Sequence, residues 1–212
     1  MKKLLTAILF SFISVTAFAH PHSFLDMKNK VMIQDGKLTA FQMSWMLDEI
    51  TSAELLYEVK ASKNKQAAKD KITRELDESA VANHYFSELY NAKDEPIKFT
   101  AKPINSSIEV KENKVVYHFE LTLADPQEVR NQTFRLFTFE PSYYLSMAYE
   151  NAGDVTISEQ GLCQVMMEEP KVNQDLRLYA SGLDKTQTPD MPGTGSLSLG
   201  GQFAQKVSVI CN

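Results

Sequence analysis

Between residues 23 and 47 the apolar side chains fall on alternate positions: Leu25, Met27, Val31 and Ile33, then Phe41, Met43, Trp45 and Leu47. A repeat of two marks half-buried strands, so the sequence predicts strands over 23–33 and 37–47 around Gln34-Asp35-Gly36. A two-residue Asp-Gly turn would pair odd positions with even ones. A three-residue loop with Gly36 left-handed pairs odd with odd and aligns the two apolar faces, and it is the expected connection. From Asp48 to about Ala92 the pattern becomes helical. A stretch rich in Lys, Asn and Gln over 60–71 is expected to split it into a short and a longer helix. The longer one would present Ile72, Leu76, Ala82, Phe86, Leu89 and Tyr90 on one face, with His84 on the solvated side.

Beyond Pro96 the period of two returns, and strands are expected over 97–102, 107–111, 115–123, 133–140, 143–149, 155–158, 162–168 and 203–211. Val115, Tyr117, Phe119, Leu121 and Leu123 alternate with the polar His118, Glu120 and Thr122. Phe134, Leu136, Phe137 and Phe139 are apolar on both faces, as in a central strand covered on both sides. A short helix is expected over 175–182 and a Gly/Pro-rich surface loop over 186–201. The fold class is α+β: a mainly antiparallel sheet or sandwich with a helical segment inserted after the first hairpin.

Composition sets the setting. The chain has 212 residues, 43% of them hydrophobic, and a formal net charge of −5. It has enough apolar material for one core and no Lys/Arg stripe, so nucleic acid is not an expected partner. Lys2 and Lys3 precede an apolar run over 4–18 that closes on Ala17-Phe18-Ala19. That is the pattern of a cleaved secretory signal, and the run is shorter than the roughly 20 residues a spanning helix needs. Residues 1–19 are thus expected to be removed. Residues 20–212 are then expected to form a single periplasmic domain, more acidic than the precursor and not inserted in a membrane. In that oxidising compartment the two cysteines, Cys163 and Cys211, suggest a disulfide. The rival thiolate metal site would lack a third Cys and a CxxC pair.

Candidate chemistry gathers at the start of the trimmed chain, His20-Pro21-His22. Signal cleavage frees the α-amine of His20, whose ordinary pKa of about 8 lets it compete for a metal at neutral pH. The amine and ring of one N-terminal His can chelate together, and His22 adds a second imidazole; zinc, copper, nickel and iron all accept such nitrogens. The square-planar amino-terminal motif needs a deprotonated amide at the second residue, and Pro21 has no N–H to lose. Further ligands must come from the folded body or from water. Asp48 and Glu49 stand at a strand-to-helix junction, where helix capping explains them equally well. Glu140 ends an apolar strand before Pro141-Ser142-Tyr143-Tyr144. His118 and Glu120 share a solvated strand face. The motifs GxSxG, HExxH, the P-loop and a strand-to-helix GxGxxG do not occur, so no catalytic residues are expected.

In order along the chain, His20-Pro21-His22-Ser23-Phe24, Asp35-Gly36-Lys37-Leu38, Trp45, Leu47-Asp48-Glu49, Glu140-Pro141-Ser142-Tyr143-Tyr144, Cys163 and Cys211 resemble domain-of-unknown-function family 1007. The family often has Phe where this chain has Leu47, and Asp where it has Glu140. The resemblance implies a periplasmic component of ABC-type transport systems associated with nickel/cobalt permeases of the NicO type or zinc uptake. It implies His20, His22, Asp48, Glu49, Glu140 and Tyr143 as candidate positions for a divalent transition metal; zinc is the favoured ion, with nickel, cobalt or, from the N-terminal chelate, copper as alternatives. The expected function is thus a divalent-metal accessory protein for an inner-membrane permease or ABC transporter. The other readings are a secreted copper enzyme with an N-terminal histidine chelate, or a transporter-associated scaffold that binds no metal.

Overall fold

The alternating segment folds into β1 (Ser23–Gln34) and β2 (Lys37–Leu47), the central hairpin of the larger sheet. The computed structural model describes residues 21–159, 161–183, 189 and 198–212, so the expected signal segment, His20 and most of the 186–201 loop lie outside the described residues. The hairpin connection has two residues rather than the expected three. Asp35 (φ 51°) and Gly36 (φ 71°) are both left-handed, the mirror-type turn that matches strand twist. Gln34 pairs with Lys37 and Ile33 with Leu38, but Met32 pairs with Ala40 and Val31 with Phe41. Thr39 is therefore the extra residue of a bulge, and its hydroxyl donates to the Met32 carbonyl at 3.2 Å. The bulge restores the odd-with-odd pairing that aligns the apolar faces.

Two helices follow, α1 (Glu49–Ala61) and α2 (Lys65–Ala82). Only residues 62–64 interrupt them, because Lys, Gln and Ala favour helix and Asn64 caps α2 by accepting from the Ala67 N–H at 3.0 Å. The second helix stops at Ala82, about ten residues before its expected end. His84, Tyr85 and Phe86 then take φ values of 49°, 58° and 49°, a left-handed turn without glycine. Such backbone costs about 1–2 kcal/mol per residue, and here it delivers two aromatic rings inward. Tyr85 is buried and donates its hydroxyl to the Thr100 carbonyl at 2.8 Å, and Phe86 lies edge-on to Trp45. His84 is exposed as expected, but on this turn rather than on a helix. Leu89 and Tyr90 belong to β3 (Ser87–Tyr90), not to a helical face.

The remaining elements are β4 (Pro96–Ile97), β5 (Ile104–Lys111), β6 (Lys114–Glu128), β7 (Thr133–Thr138), β8 (Leu145–Ala148), β9 (Val155–Ile157) and β10 (Cys163–Glu168). They are followed by α3 (Gln174–Ser181), α4 (Leu199–Phe203) and β11 (Lys206–Cys211). The larger sheet runs β5-β6-β2-β1-β8, with β9 also paired to β1; the smaller runs β10-β11-β7-β3-β4. Among the described residues, only the pairings of β8 and β9 with β1 are parallel. The expected 97–102 strand shrinks to β4 plus a bridge from Phe99 to Leu123, and the last strand starts later because α4 takes up Phe203. Strand β7 is central in its sheet, but Phe137 on its outer face is only half-buried, so the expected cover on both sides is partial.

Both sheets turn their apolar faces to one core. Met27, Val31, Phe41, Tyr117 and Leu121 come from the larger sheet, and Leu89, Phe134, Leu136, Val207 and Val209 from the smaller. Buried Ser52 ties α1 down by donating to the Leu47 carbonyl (3.1 Å) and accepting from the Val115 N–H (2.9 Å). Cys163 and Cys211 stand directly opposite each other on β10 and β11 and are joined by a disulfide 48 residues apart in sequence. No free cysteine is left, which removes the thiolate alternative. Among the described residues no helix is long and apolar enough to cross a membrane.

Candidate functional site

The first described residues enter the fold at the parallel edge of the larger sheet. Ser23 pairs with Leu145 and Phe24 with Ser146. One step earlier the His22 N–H donates to the Tyr144 carbonyl at 2.9 Å, and the two rings pack with centroids 5.0 Å apart. The peptide of His22 is thus fixed by the strand that begins after it, while its half-buried imidazole lies against an aromatic neighbour.

Glu140 shapes the loop that presents Tyr144. β7 stops at Thr138, and past Pro141 the chain must turn through Tyr143 at φ 61° before β8 starts. That turn leaves amides without ladder partners, and the Glu140 carboxylate takes them up. It accepts from the N–H groups of Ser142 (2.9 Å), Tyr144 (2.7 Å) and Leu145 (3.4 Å) and from the Ser142 hydroxyl (2.7 Å). Asp48 does the equivalent work on the other flank. As N-cap of α1 it accepts from the Thr51 N–H at 2.8 Å, and it also accepts from the Phe24 N–H at 3.2 Å and the Ser23 hydroxyl. The Asp48 N–H in turn donates to the Phe24 carbonyl at 3.1 Å. Burial alone would raise the Asp48 carboxyl, but the bonds from Ser23, Thr51 and Phe24 together hold it below its ordinary value.

Three of the expected positions therefore meet at one end of β1. His22 and Glu140 join through Tyr144, and Asp48 joins through Ser23 and Phe24. Glu49 does not join them; it is exposed in the first turn of α1, where its charge suits the helix dipole. Tyr143 turns to the opposite side of the loop and stacks on Phe203, with centroids 4.0 Å apart and planes 13° from parallel. Burial pushes its phenol up, against the opposing effects of a bond to Ser146 and the nearby Arg177 charge. Among the described residues no three His, Cys, Asp or Glu side chains gather as a metal cage. His20 lies outside them.

The polar face of the larger sheet holds an arrangement that sequence reasoning reduced to solvent exposure. Ser44 and His118 sit opposite each other on β2 and β6, with Ser44 Oγ 2.8 Å from His118 Nδ1. His118 Nε2 lies 3.2 Å from a Glu109 carboxylate oxygen on β5. The clue available in sequence was that all three occupy polar positions of alternating strands; the register that aligns them is not local. The line has the residue types of an acyl-transfer triad without its setting. The backbone around Ser44 is paired on both sides, to β1 and to β6, so no set of N–H donors is turned toward the hydroxyl to stabilise an oxyanion.

Together these features define a class: a two-sheet α+β domain with one sheet covalently stapled and a histidine-led strand pinned between two carboxylate-organised turns. The chain belongs to the family described as "Protein of unknown function (DUF1007)", whose profile matches residues 5–211. It is 38% identical over 201 residues to a protein of Haemophilus influenzae described as an uncharacterized protein, covering 94% of this chain and 95% of that one. No solved structure matches the chain.

Proposed function

We propose that the chain, trimmed to begin at His20, is a periplasmic binding protein for a divalent transition metal that serves an inner-membrane metal permease or ABC transporter. Zinc is favoured over nickel, cobalt and copper. One observation carries the reading: the His22 peptide is anchored to Tyr144 at 2.9 Å, at the end of β1 where the turns organised by Asp48 and Glu140 converge. An imidazole two residues from a new α-amine is then pre-positioned by strand pairing rather than by a flexible tail.

The donor chemistry fits this assignment in a specific way. His22 supplies a ring nitrogen, and the amine and ring of His20 would supply the rest. Asp48 and Glu140 are engaged by backbone donors and act by holding the segment rather than as primary ligands. Binding is the only chemistry asked of the ion; the residues of this chain orient His22 and keep its strand in register.

The test is metal retention by the trimmed protein against a mild chelator, followed by intact mass under native conditions. Zinc bound at micromolar affinity or tighter is expected, with a loss of about tenfold or more when one Gly is placed before His20 or when His22→Ala is introduced. Failure to retain zinc, nickel, cobalt or copper would overturn the metal reading. Retention unchanged by the added Gly would remove the amine from it.

A further inference from the structure

On the other side of the Glu140–Leu145 loop lies a cleft of about 190 Å³ between β8, the segment after β10, and helices α3 and α4. Its walls include Glu169, Arg177, Tyr143, Ser146, Gln205 and Phe203. The loop and α4 are locked against each other: the Gly200 N–H donates to the Pro141 carbonyl at 3.0 Å. A Cβ on Gly200 would stand 1.8 Å from the Glu140 carbonyl oxygen, so this approach requires glycine. Of its walls, Tyr143 and Phe203 pack in turn on a small buried cluster of Ala180, Leu183 and Leu199.

Two opposite charges border the cleft, and one of them is held in place by a buried side chain. Gln205 is buried at 7% exposure and is fixed by a two-point pairing with Tyr149, accepting its N–H at 2.7 Å and donating to its carbonyl at 3.0 Å. The remaining amide donor of Gln205 holds the Glu169 carboxylate at 2.8 Å. A locked amide therefore aims a carboxylate that still has acceptor capacity. Arg177 stands on α3 at another wall of the same cleft. Its guanidinium makes no ion pair with Glu169 or with any other described residue. The Glu140 carboxylate also borders the cleft, but four donors of its own loop occupy it.

A cation and an anion that share a cleft without pairing form a dipolar frame, and the complementary ligand is a small zwitterion. We propose that this cleft binds a free α-amino acid, with its carboxylate on Arg177, its ammonium on Glu169 and its side chain toward the Tyr143–Phe203 stack. The fork of Arg suits a carboxylate in two-point contact. At about 190 Å³ the cleft is small, which suits a small amino acid better than a peptide. The assignment is independent of metal binding, because none of its contacts uses His20 or His22.

The test is calorimetric titration of the chelator-treated full mature chain with glycine, L-alanine and L-glutamate, with acetate and methylammonium as single-charge controls. At least one amino acid is expected to bind about tenfold or more tightly than either control, the weight of one added charged hydrogen bond. Arg177→Gln and Glu169→Gln should each weaken that binding by a similar factor. Both side chains belong to exposed residues, so the melting temperatures should stay close to the parent's. Amide shifts of Tyr149 and Gln205 on addition of the amino acid give a second readout at the site. Acetate binding as tightly as alanine, or affinity unaffected by both substitutions, would overturn the proposal. So would the absence of amino-acid binding in protein that still retains zinc, and that result would leave the metal reading standing.

Discussion

The two sheets share one core but hold their registers by different means. The larger is built on strands of 12, 11 and 15 residues, β1, β2 and β6, whose buried and exposed positions alternate over most of their length. A slip of one residue there would turn a whole row of core side chains to solvent, so the pattern itself fixes the pairing. In the smaller sheet β7, β10 and β11 have six residues each, β3 has four and β4 two. Short strands carry little register information, and a covalent bond at Cys163–Cys211 supplies what the pattern lacks. The candidate metal site sits on the self-registering sheet, while the proposed amino-acid cleft reaches across to the segment that links the two stapled strands.

If the staple is what fixes the smaller sheet, removing it should have the largest effect. Replacing Cys163 and Cys211 by Ala is expected to lower unfolding free energy by about 4 kcal/mol, the chain-entropy value for a closed loop of this length. Urea titration measures it, and a loss below about 1 kcal/mol would show that ladder bonds alone set the β10–β11 register. Next comes Gly200→Ala. The new methyl would meet backbone, not a flexible side-chain end, so about 3 kcal/mol is expected together with displacement of α4 from the Glu140 loop. Amide shifts confined to α4 and residues 140–145, with β1 and β2 unmoved, would confirm that the larger sheet is independent of this contact.

Asp48→Ala tests the larger sheet at its functional edge. The helix cap is worth about 1 kcal/mol, and the added ties to Ser23 and Phe24 bring the expected loss to about 2 kcal/mol. Burial opposes ionisation of this carboxyl, but its hydrogen bonds win and keep it below the ordinary value. Its stabilisation is therefore complete above the unfolded-state value of about 3.9 and is lost as pH falls toward the folded-state value. Denaturant midpoints measured between neutral pH and pH 3 should converge for parent and Asp48→Asn as the carboxylate is protonated. A constant gap across that window would show that the charge does no work here.

The same contrast explains what could be read from sequence. The β1–β2 hairpin and β6 were legible because alternation over ten or more residues admits one reading. The turn was misjudged by one residue because a bulge at Thr39 restores the same pairing as a longer loop, and periodicity alone cannot separate the two. Helix α2 was drawn too far because Phe86, Leu89 and Tyr90 continue an apolar face in number; the left-handed turn at His84–Phe86 depends on burying Tyr85 and Phe86, which is tertiary information. At the candidate site, His22, Asp48 and Glu140 were identifiable as residues of interest. Their hydrogen-bonding work was not, because Glu140 serves amides two to five positions ahead and Asp48 serves residues about 25 positions behind. Nothing local marks Arg177 and Glu169 as walls of one cleft.

The smallest expected effect concerns the solvated face of the larger sheet. The Ser44–His118–Glu109 line is a chain of cross-strand contacts, with the His118 side chain 34% exposed and that of Glu109 61% exposed. Exposed pairs of this kind contribute about 0–1 kcal/mol, and the strands beneath them are registered by their buried faces. His118→Ala and Ser44→Ala are therefore each expected to change unfolding free energy by less than about 0.5 kcal/mol. Double-mutant coupling between them should be of the same order. A coupling above about 1.5 kcal/mol would mean that polar contacts, and not the alternation of the core, help to hold β2 against β6. That would erase the distinction between a sheet registered by its pattern and one registered by added bonds.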